Sequence, residues 1–324
     1  MVYALLVLIV GFAVCAALEA LPAGARRGTA ARWVALLSVG SALVVSVVLE
    51  GFPRGGDRDV VGSNIASWIG SPVYGSDALS TGLGTWVLGI GLLGLLKMGL
   101  GAGEKNAALK LASGTALIAV LFSMAYTVDL RAFAVQVILV AVLVWAVAGD
   151  GRPDWYARQK IAVVLGMLLL LAAVLLIGRT TGGEYNLREM SLSALTLWPL
   201  GLVVGWAVLW LGLSPLTGWS ALTGDENGAI VHGLAIGAPV VALVLRLQGL
   251  VTEGALTGST PEQWAGAMSA LTIMGGLTAV VGGAGVFMWA GTPRWSAALT
   301  AHWMGLIAWS LGLDSPTGRW AALA

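Results

Sequence analysis

The sequence has few charges and almost no cysteine. Only 10% of its 324 residues are Asp, Glu, Lys or Arg, whereas soluble domains carry about 25%. With a mean hydropathy of +0.90, this composition excludes a soluble globular fold. Cys15 is the only cysteine, so neither an intramolecular disulfide nor a thiolate metal cluster can form. The net charge of +1 and the scattered Lys and Arg residues argue against a nucleic-acid partner and against a polybasic lipid-binding patch.

Signatures of catalysis and metal binding are also missing. The sequence contains no HExxH, CxxC, phosphate-loop or nucleophile-elbow pattern, so it predicts no catalytic residue, no metal site and no cofactor. Glycine-rich stretches such as Gly275-Gly276 and Gly282-Gly283-Ala284-Gly285 lie inside apolar runs. Small residues there allow close approach of two helices, whereas a nucleotide cradle needs a preceding strand.

Long apolar runs make up most of the chain. A membrane-spanning helix needs about 20 mostly apolar residues, and the first run, from Val2, lacks the basic start of a signal peptide. The sequence therefore predicts an all-α integral membrane protein with about ten transmembrane helices, in a single polytopic membrane domain of residues 1–324. The predicted spans are about 2–22, 31–51, 78–100, 106–128, 130–149, 159–179, 191–213, 226–250, 264–290 and 295–313.

The loops add predictions of their own. Residues 51–80 are rich in Gly, Pro and Asp and predict an extended or hairpin-like segment. Thr260 suits an N-cap and Pro261 a first helical position, so a ninth helix beginning at Pro261 is expected. Lys and Arg are more frequent in loops after odd-numbered spans. This bias favours a multi-pass protein of the cell inner (plasma) membrane with both termini on the non-cytoplasmic side.

Ionisable residues avoid the predicted span centres. Every Asp, Glu and Lys falls in a loop or within about two turns of a span end, although intramembrane charges usually mark function. His232 and His302 lie about two turns inside the eighth and tenth spans. They are candidates for proton relay, and a structural hydrogen bond is the competing interpretation. Arg246, near the end of the eighth span, is a further candidate, expected instead to extend to the headgroups.

Prolines mark two predicted helix breaks. Pro215 follows the seventh span and Pro239 lies within the eighth. A proline removes a backbone donor, and transporters use such breaks because the freed backbone groups can bind ions near the midplane. A kink tolerated by packing explains the same residues equally well, so both interpretations stay open.

Five stretches in a fixed order resemble a known family. They are Asp77-Ala78-Leu79-Ser80, Asp129-Leu130 with Phe133, Pro215-Leu216-Thr217-Gly218-Trp219, Leu243-Val244-Leu245-Arg246 and Arg294 to Gly305. Together they are similar to motifs of the antiporter-like subunits of respiratory complex I (L, M and N type) and of Mrp antiporters. The resemblance covers about residues 65–313. It implies an antiporter-like fold with a broken seventh helix, in a shortened chain that lacks the last helices.

The same resemblance points to lost charges. The family's proton path uses a glutamate in the fifth helix and lysines in the seventh and eighth. Matching the motifs places Ile138, or Gln136 if the alignment slips by two residues, at the glutamate. Trp210 and Ala238 stand at the two lysines, and Thr217 replaces the histidine before Trp219. The relay positions are thus occupied by residues that do not titrate near neutral pH.

These features leave three hypotheses for the function. The first is a degenerate antiporter-like subunit, not itself an enzyme, that packs against lipid and other integral membrane subunits of a complex I-type or related redox-driven ion-translocating complex. The alternative is an active proton or cation transporter subunit using His232, His302, Gln136 and the broken helices. The third, a membrane enzyme acting on a lipid or quinone, would need convergent polar groups that the sequence does not reveal.

Overall fold

The computed structural model describes residues 1–20, 25–48, 58–61, 73–98, 107–148, 155–190, 195–213, 229–256, 263–292, 294–315 and 318. Within these stretches lie ten α-helices, each overlapping one of the ten predicted spans. They are α1 (Val2–Glu19), α2 (Ala25–Val48), α3 (Ala78–Met98), α4 (Ala107–Tyr126), α5 (Leu130–Ala148), α6 (Trp155–Thr180), α7 (Leu197–Leu211), α8 (Ala229–Leu256), α9 (Trp264–Met288) and α10 (Arg294–Gly312).

The helices have the length and surface of membrane spans. Among the described residues, seven helices are long and apolar enough to cross a bilayer, and α5 and α7 contribute shorter apolar segments. Large apolar side chains face outward, including Leu175 at 68%, Val280 at 71% and Phe287 at 85% exposure. Such a surface suits hydrocarbon rather than water. The chain is a multi-pass α-helical membrane protein, as predicted.

A small hairpin precedes α3. Strand β1 (Arg58–Val61) pairs antiparallel with β2 (Val73–Ser76), with Arg58 opposite Ser76, which confirms the hairpin predicted between the second and third spans. Asp77 lies immediately before α3 and caps its first turn. Its Oδ1 accepts hydrogen bonds from the Ser80 backbone N–H at 2.6 Å and the Ser80 hydroxyl at 2.7 Å, an N-cap arrangement that satisfies a free donor of the first turn.

Three helix ends differ from the predictions. Helix α8 runs through Pro239 without interruption and ends at Leu256, six residues beyond the predicted end, so Pro239 does not break it. Helix α7 ends before Gly212, which adopts a left-handed conformation (φ 62°) that glycine tolerates best. Pro215 lies outside the described residues. Helix α9 begins at Trp264 rather than Pro261, and Thr260 and Pro261 also lie outside the described residues.

Contacts between Cα atoms divide the chain into two compact units, so the single membrane domain remains a prediction. Unit 1 comprises Met1–Thr127, Gln136–Asp150 and Asp225–Ala238. Its centre is α4, sixteen of whose residues are buried, packed against α1, α2 and α3. Glycines allow these close contacts: a Cβ at Gly91 would lie 2.8 Å from the Ile118 side chain.

Unit 2 comprises Val128–Val135, Gly151–Gly224 and Pro239–Ala324. Within it α6 packs against α7, α7 against α9, and α9 along the length of α10. The α9–α10 contact is lined by small residues, so that backbone meets backbone. A Cβ at Gly275 would abut the backbone of Ala308 and Trp309, and one at Gly305 would abut Ala279. This confirms close helix packing as the role of Gly275, whereas a Cβ at Gly276 would make only an ordinary contact.

Candidate functional site

Gln136 forms the buried polar centre of unit 1. It lies on α5 with 8% of its surface exposed. Its Nε2 donates to the Ser123 hydroxyl at 3.0 Å, and its Oε1 accepts from the Thr127 hydroxyl at 2.9 Å. The Thr127 hydroxyl also lies 3.0 Å from the Ser123 carbonyl oxygen. All three groups are neutral, and the network uses both ends of the amide.

The burial of Gln136 and Ile138 distinguishes the two residues that the motifs match to the family's glutamate. Gln136 is buried against α4, whereas Ile138, two residues further on, is only half-buried. Because successive positions two apart point to different sides of a helix, the inward polar position on α5 is that of Gln136. An amide there holds hydrogen bonds but cannot gain or lose a proton near neutral pH.

Replacing Gln136 by leucine should destabilise the protein by about 1–3 kcal/mol, because the Ser123 and Thr127 hydroxyls lose a buried partner. Thermal unfolding in detergent would measure the loss. The matched control is Ile138→Leu, two residues away on the same helix, which removes no hydrogen bond and should change stability little. An equal loss in both variants would contradict a role for the amide network.

The other two relay positions hold apolar side chains. Trp210, at the seventh-helix position, is 1% exposed in unit 2. The ring centroids of Trp210 and Trp206 lie 6.2 Å apart, and the Trp206 ring in turn meets the Phe133 ring edge-on, with 6.2 Å between their centroids. Ala238, at the eighth-helix position, is 3% exposed in unit 1. Neither residue can carry a proton, and the aromatic stack fills its part of unit 2 with packed side chains.

His302 lies at the α9–α10 contact. Its Nδ1 is 2.8 Å from the Ala279 carbonyl oxygen, so the ring bonds to the backbone of the facing helix. A Cβ at Gly283 would lie 3.2 Å from the same nitrogen, which shows how closely the ring packs. This hydrogen bond is the structural use of His302 that the sequence left open beside proton relay. For His232 the structure describes only the backbone, within α8.

Arg246 is buried, contrary to the expectation that it extends to the headgroups. Only 8% of its surface is exposed. Because α8 continues to Leu256, Arg246 lies ten residues before the helix end, about 15 Å along the axis. Most of the surrounding helix, Gly233–Thr252, is buried inside the protein. A buried arginine within an apolar helix is a functional candidate.

A second charged group was missed by the sequence analysis. Asp129, placed there at a span end, is only 2% exposed. Its Oδ1 accepts from the backbone N–H groups of Arg131 at 2.8 Å and Ala132 at 3.2 Å, and its Oδ2 pairs with the Arg131 guanidinium at 3.0 Å. The carboxylate therefore caps α5 and neutralises a cation in one place.

The segment after α6 covers this ion pair. The Leu130 N–H donates to the Tyr185 carbonyl at 3.0 Å and the Leu187 N–H to the Val128 carbonyl at 2.9 Å. The Arg131 guanidinium lies over the Tyr185 ring, 4.4 Å from its centroid, a cation–π contact. The sequence signals for this cluster are the Asp129-Leu130 stretch at a predicted helix start and an Arg two residues after the Asp; neither indicates that the carboxylate is buried.

Three solved structures share this fold. The Mrp complex from Dietzia sp. DQ12-45-1b matches with a TM-score of 0.81 at 18% identity, over 99% of this chain and 35% of the matched one. The membrane-bound sulfane sulfur reductase, an archaeal respiratory membrane complex, matches with a TM-score of 0.78 at 16% identity, over 99% of this chain and 53% of the matched one. Respiratory complex I from Thermus thermophilus with bound NADH matches with a TM-score of 0.73 at 19% identity, over 99% of this chain and 67% of the matched one.

No protein-family model and no curated protein matches the chain. The chain spans about a third and about half of the first two matched structures' chains. At these identities the matches establish architecture. The chain therefore has the fold of the antiporter-like membrane subunits, as its motifs predicted.

Proposed function

We propose that this chain is a structural, non-catalytic subunit of a larger ion-translocating membrane complex, with its own proton path lost. Its fold is shared with chains of an Mrp complex, a respiratory membrane complex and complex I. Its partners would be other integral membrane subunits and lipid. The extensive apolar outer surface of α1, α6 and α9 suits both kinds of neighbour.

The observation that carries the proposal is the neutral network at Gln136. A proton path through a subunit interior needs groups that take up and release protons. On α5 the inward position holds an amide with both ends hydrogen-bonded. Trp210 and Ala238 are buried at the other two family positions. A path would have to bypass all three.

Membership in a complex is tested by gentle extraction, affinity capture of the chain and mass spectrometry. We expect a stoichiometric set of other integral membrane proteins, among them chains of the antiporter-like fold and redox or cation-antiport subunits. Capture of the chain alone, or only as a homo-oligomer, would exclude the structural-subunit proposal.

The active transporter remains the second candidate because Arg246 is buried. A permanent cation deep in a membrane helix is costly and is kept where ions or protons pass, or where it is paired within the protein. Under the transporter hypothesis the positive charge of Arg246 would set the electrostatic potential along an ion or proton path through unit 2. Under the structural hypothesis its charge serves only the packing of α8.

Flux measurements separate the two candidates. The purified chain in proteoliposomes, under an imposed membrane potential, should give proton or sodium flux equal to that of protein-free vesicles. The variants Arg246→Gln and Gln136→Glu should leave this baseline unchanged, and a parallel unfolding assay would show that they are folded. Flux well above the baseline that falls at least tenfold in the Arg246→Gln variant would favour the transporter.

A further inference from the structure

The packing of unit 1 gathers charges that are scattered along the chain. At the end of α1, Glu19 pairs with Arg27 of α2 at 2.6 Å and accepts the Leu109 N–H of α4 at 3.1 Å. The end of α1, the start of α2 and the start of α4 therefore meet. Helix α3 arrives at the same place, since a Cβ at Gly114 would lie 3.1 Å from Leu95, near the α3 end.

Basic residues predominate at this end of unit 1. Among the described residues at these helix ends, Arg27, Arg32, Lys97 and Lys110 are basic and Glu19 is acidic. The opposite end, supplied by the β-hairpin and the start of α3, holds Asp59 and Asp77. Along the chain Lys and Arg are scattered, which predicted no basic patch. The antiparallel helices assemble one in space.

Arg32 and Lys97 are the unusual members of this patch. Cys15 donates to the Ala31 carbonyl at 3.4 Å, so Arg32 lies about one turn inward of the Glu19–Arg27 pair. Lys97 lies in the last turn of α3. Both side chains are half-buried, and the Nε of Arg32 is buried without a hydrogen-bond partner. Unlike Arg27, neither has a carboxylate partner among the residues that the structure describes.

Apolar surface surrounds these two charges. Trp33 is 59% exposed next to Arg32, and Leu93 and Leu96, one turn or less from Lys97, are 55% and 40% exposed. Tryptophan prefers the level of the lipid headgroups, and exposed leucines below it suit acyl chains. The helix dipole at the α3 end favours Lys97, but it does not account for a buried, unpartnered guanidinium nitrogen on α2.

We propose that Arg32 and Lys97 bind the phosphate headgroup of an anionic phospholipid at this end of unit 1. A guanidinium donates to phosphate oxygens in paired hydrogen bonds, and an ammonium adds a point charge. Acyl chains would lie against Leu93 and Leu96. The excess of Lys and Arg favours this end as the cytoplasmic one, where anionic lipids concentrate. The site does not depend on the proposed structural role.

Lipid retention tests the site. The full chain would be purified from nanodiscs of phosphatidylglycerol and phosphatidylcholine in equal parts, and the lipids that remain bound measured by native mass spectrometry. The double variant Arg32→Gln/Lys97→Gln should lose anionic lipid about fivefold for each charge removed, and zwitterionic lipid hardly at all. Arg32→Lys should restore most of the retention, because it returns the charge.

The matched control is Arg179→Gln at the exposed end of α6, which removes one positive charge from unit 2. It should keep wild-type retention. Unchanged retention in the double variant, or an equal loss in Arg179→Gln, would overturn the proposal. So would displacement of the bound lipid signal by millimolar inorganic phosphate, which would indicate a site for the free anion. Unfolding curves for each variant exclude loss through misfolding.

Discussion

Replacing Gly275 by leucine is expected to separate α9 from α10 and to give one of the two largest losses of stability in this chain. At Gly275 the two helices are so close that even a Cβ would lie 2.8 Å from the Ala308 carbonyl carbon and the Gly305 carbonyl oxygen. These are backbone atoms, which cannot rotate away as a flexible side chain could. The cost should reach about 3 kcal/mol, the upper end for overpacking.

The neighbouring glycine provides a matched control. A Cβ at Gly276 would lie 3.8 Å from the Trp309 ring, an ordinary contact, and one at Gly266 would meet no atom within 4 Å. Alanine at Gly276 or Gly266 should therefore be tolerated, with a gain of up to about 1 kcal/mol from helix propensity. Alanine at Gly275 should be destabilising. Thermal unfolding of the four variants in nanodiscs would give the comparison.

The same contact predicts a local consequence for His302. If the helices separate, the hydrogen bond between His302 and the Ala279 carbonyl breaks with them. Histidine ring signals in NMR spectra should then shift in the Gly275→Leu variant and not in Gly276→Ala. Equal stability of these two variants would show that α9 and α10 are not held at backbone distance.

Hydropathy and small-residue patterns predicted much of this architecture. The ten helices follow from apolar runs because the bilayer requires a fixed length of apolar chain. The role of Gly275 follows because only small residues allow helices to touch. The hairpin of β1 and β2 follows from the Gly, Pro and Asp content of its segment. In each case the deciding signal lies within the segment itself.

The features that could not be predicted depend on distant parts of the chain. Asp129 is buried because the segment around Tyr185 pairs with it, and more than fifty residues separate the two in sequence. Arg246 is buried by the packing of α8 within the protein, which hydropathy does not reveal. Helix α7 ends at a left-handed Gly212, a conformation that the apolar run before it does not reveal. The basic patch at Arg32 and Lys97 exists only after four helices have packed.

The second large effect is expected at Asp129. Replacing it by alanine should cost about 3 kcal/mol or more, because one change removes the cap of α5 and leaves the Arg131 charge without its carboxylate. Asp129 is 2% exposed, and its carboxylate accepts four hydrogen bonds, two from the backbone N–H groups of Arg131 and Ala132 and two from the Arg131 guanidinium. Unfolding in detergent, followed by circular dichroism, would measure the loss.

Two further variants divide the effect between its causes. Asparagine at position 129 keeps an acceptor for the N–H groups of Arg131 and Ala132 but removes the charge, so it should cost less than alanine. Arg131→Gln keeps the cap and removes the cation and its contact with the Tyr185 ring. If the ion pair dominates, Asp129→Asn and Arg131→Gln should be similarly destabilised, and combining them should add little. If Asp129→Asn is instead as stable as the wild type, the carboxylate acts as a cap alone. Its charge then contributes nothing to the contact between the segment around Tyr185 and the start of α5.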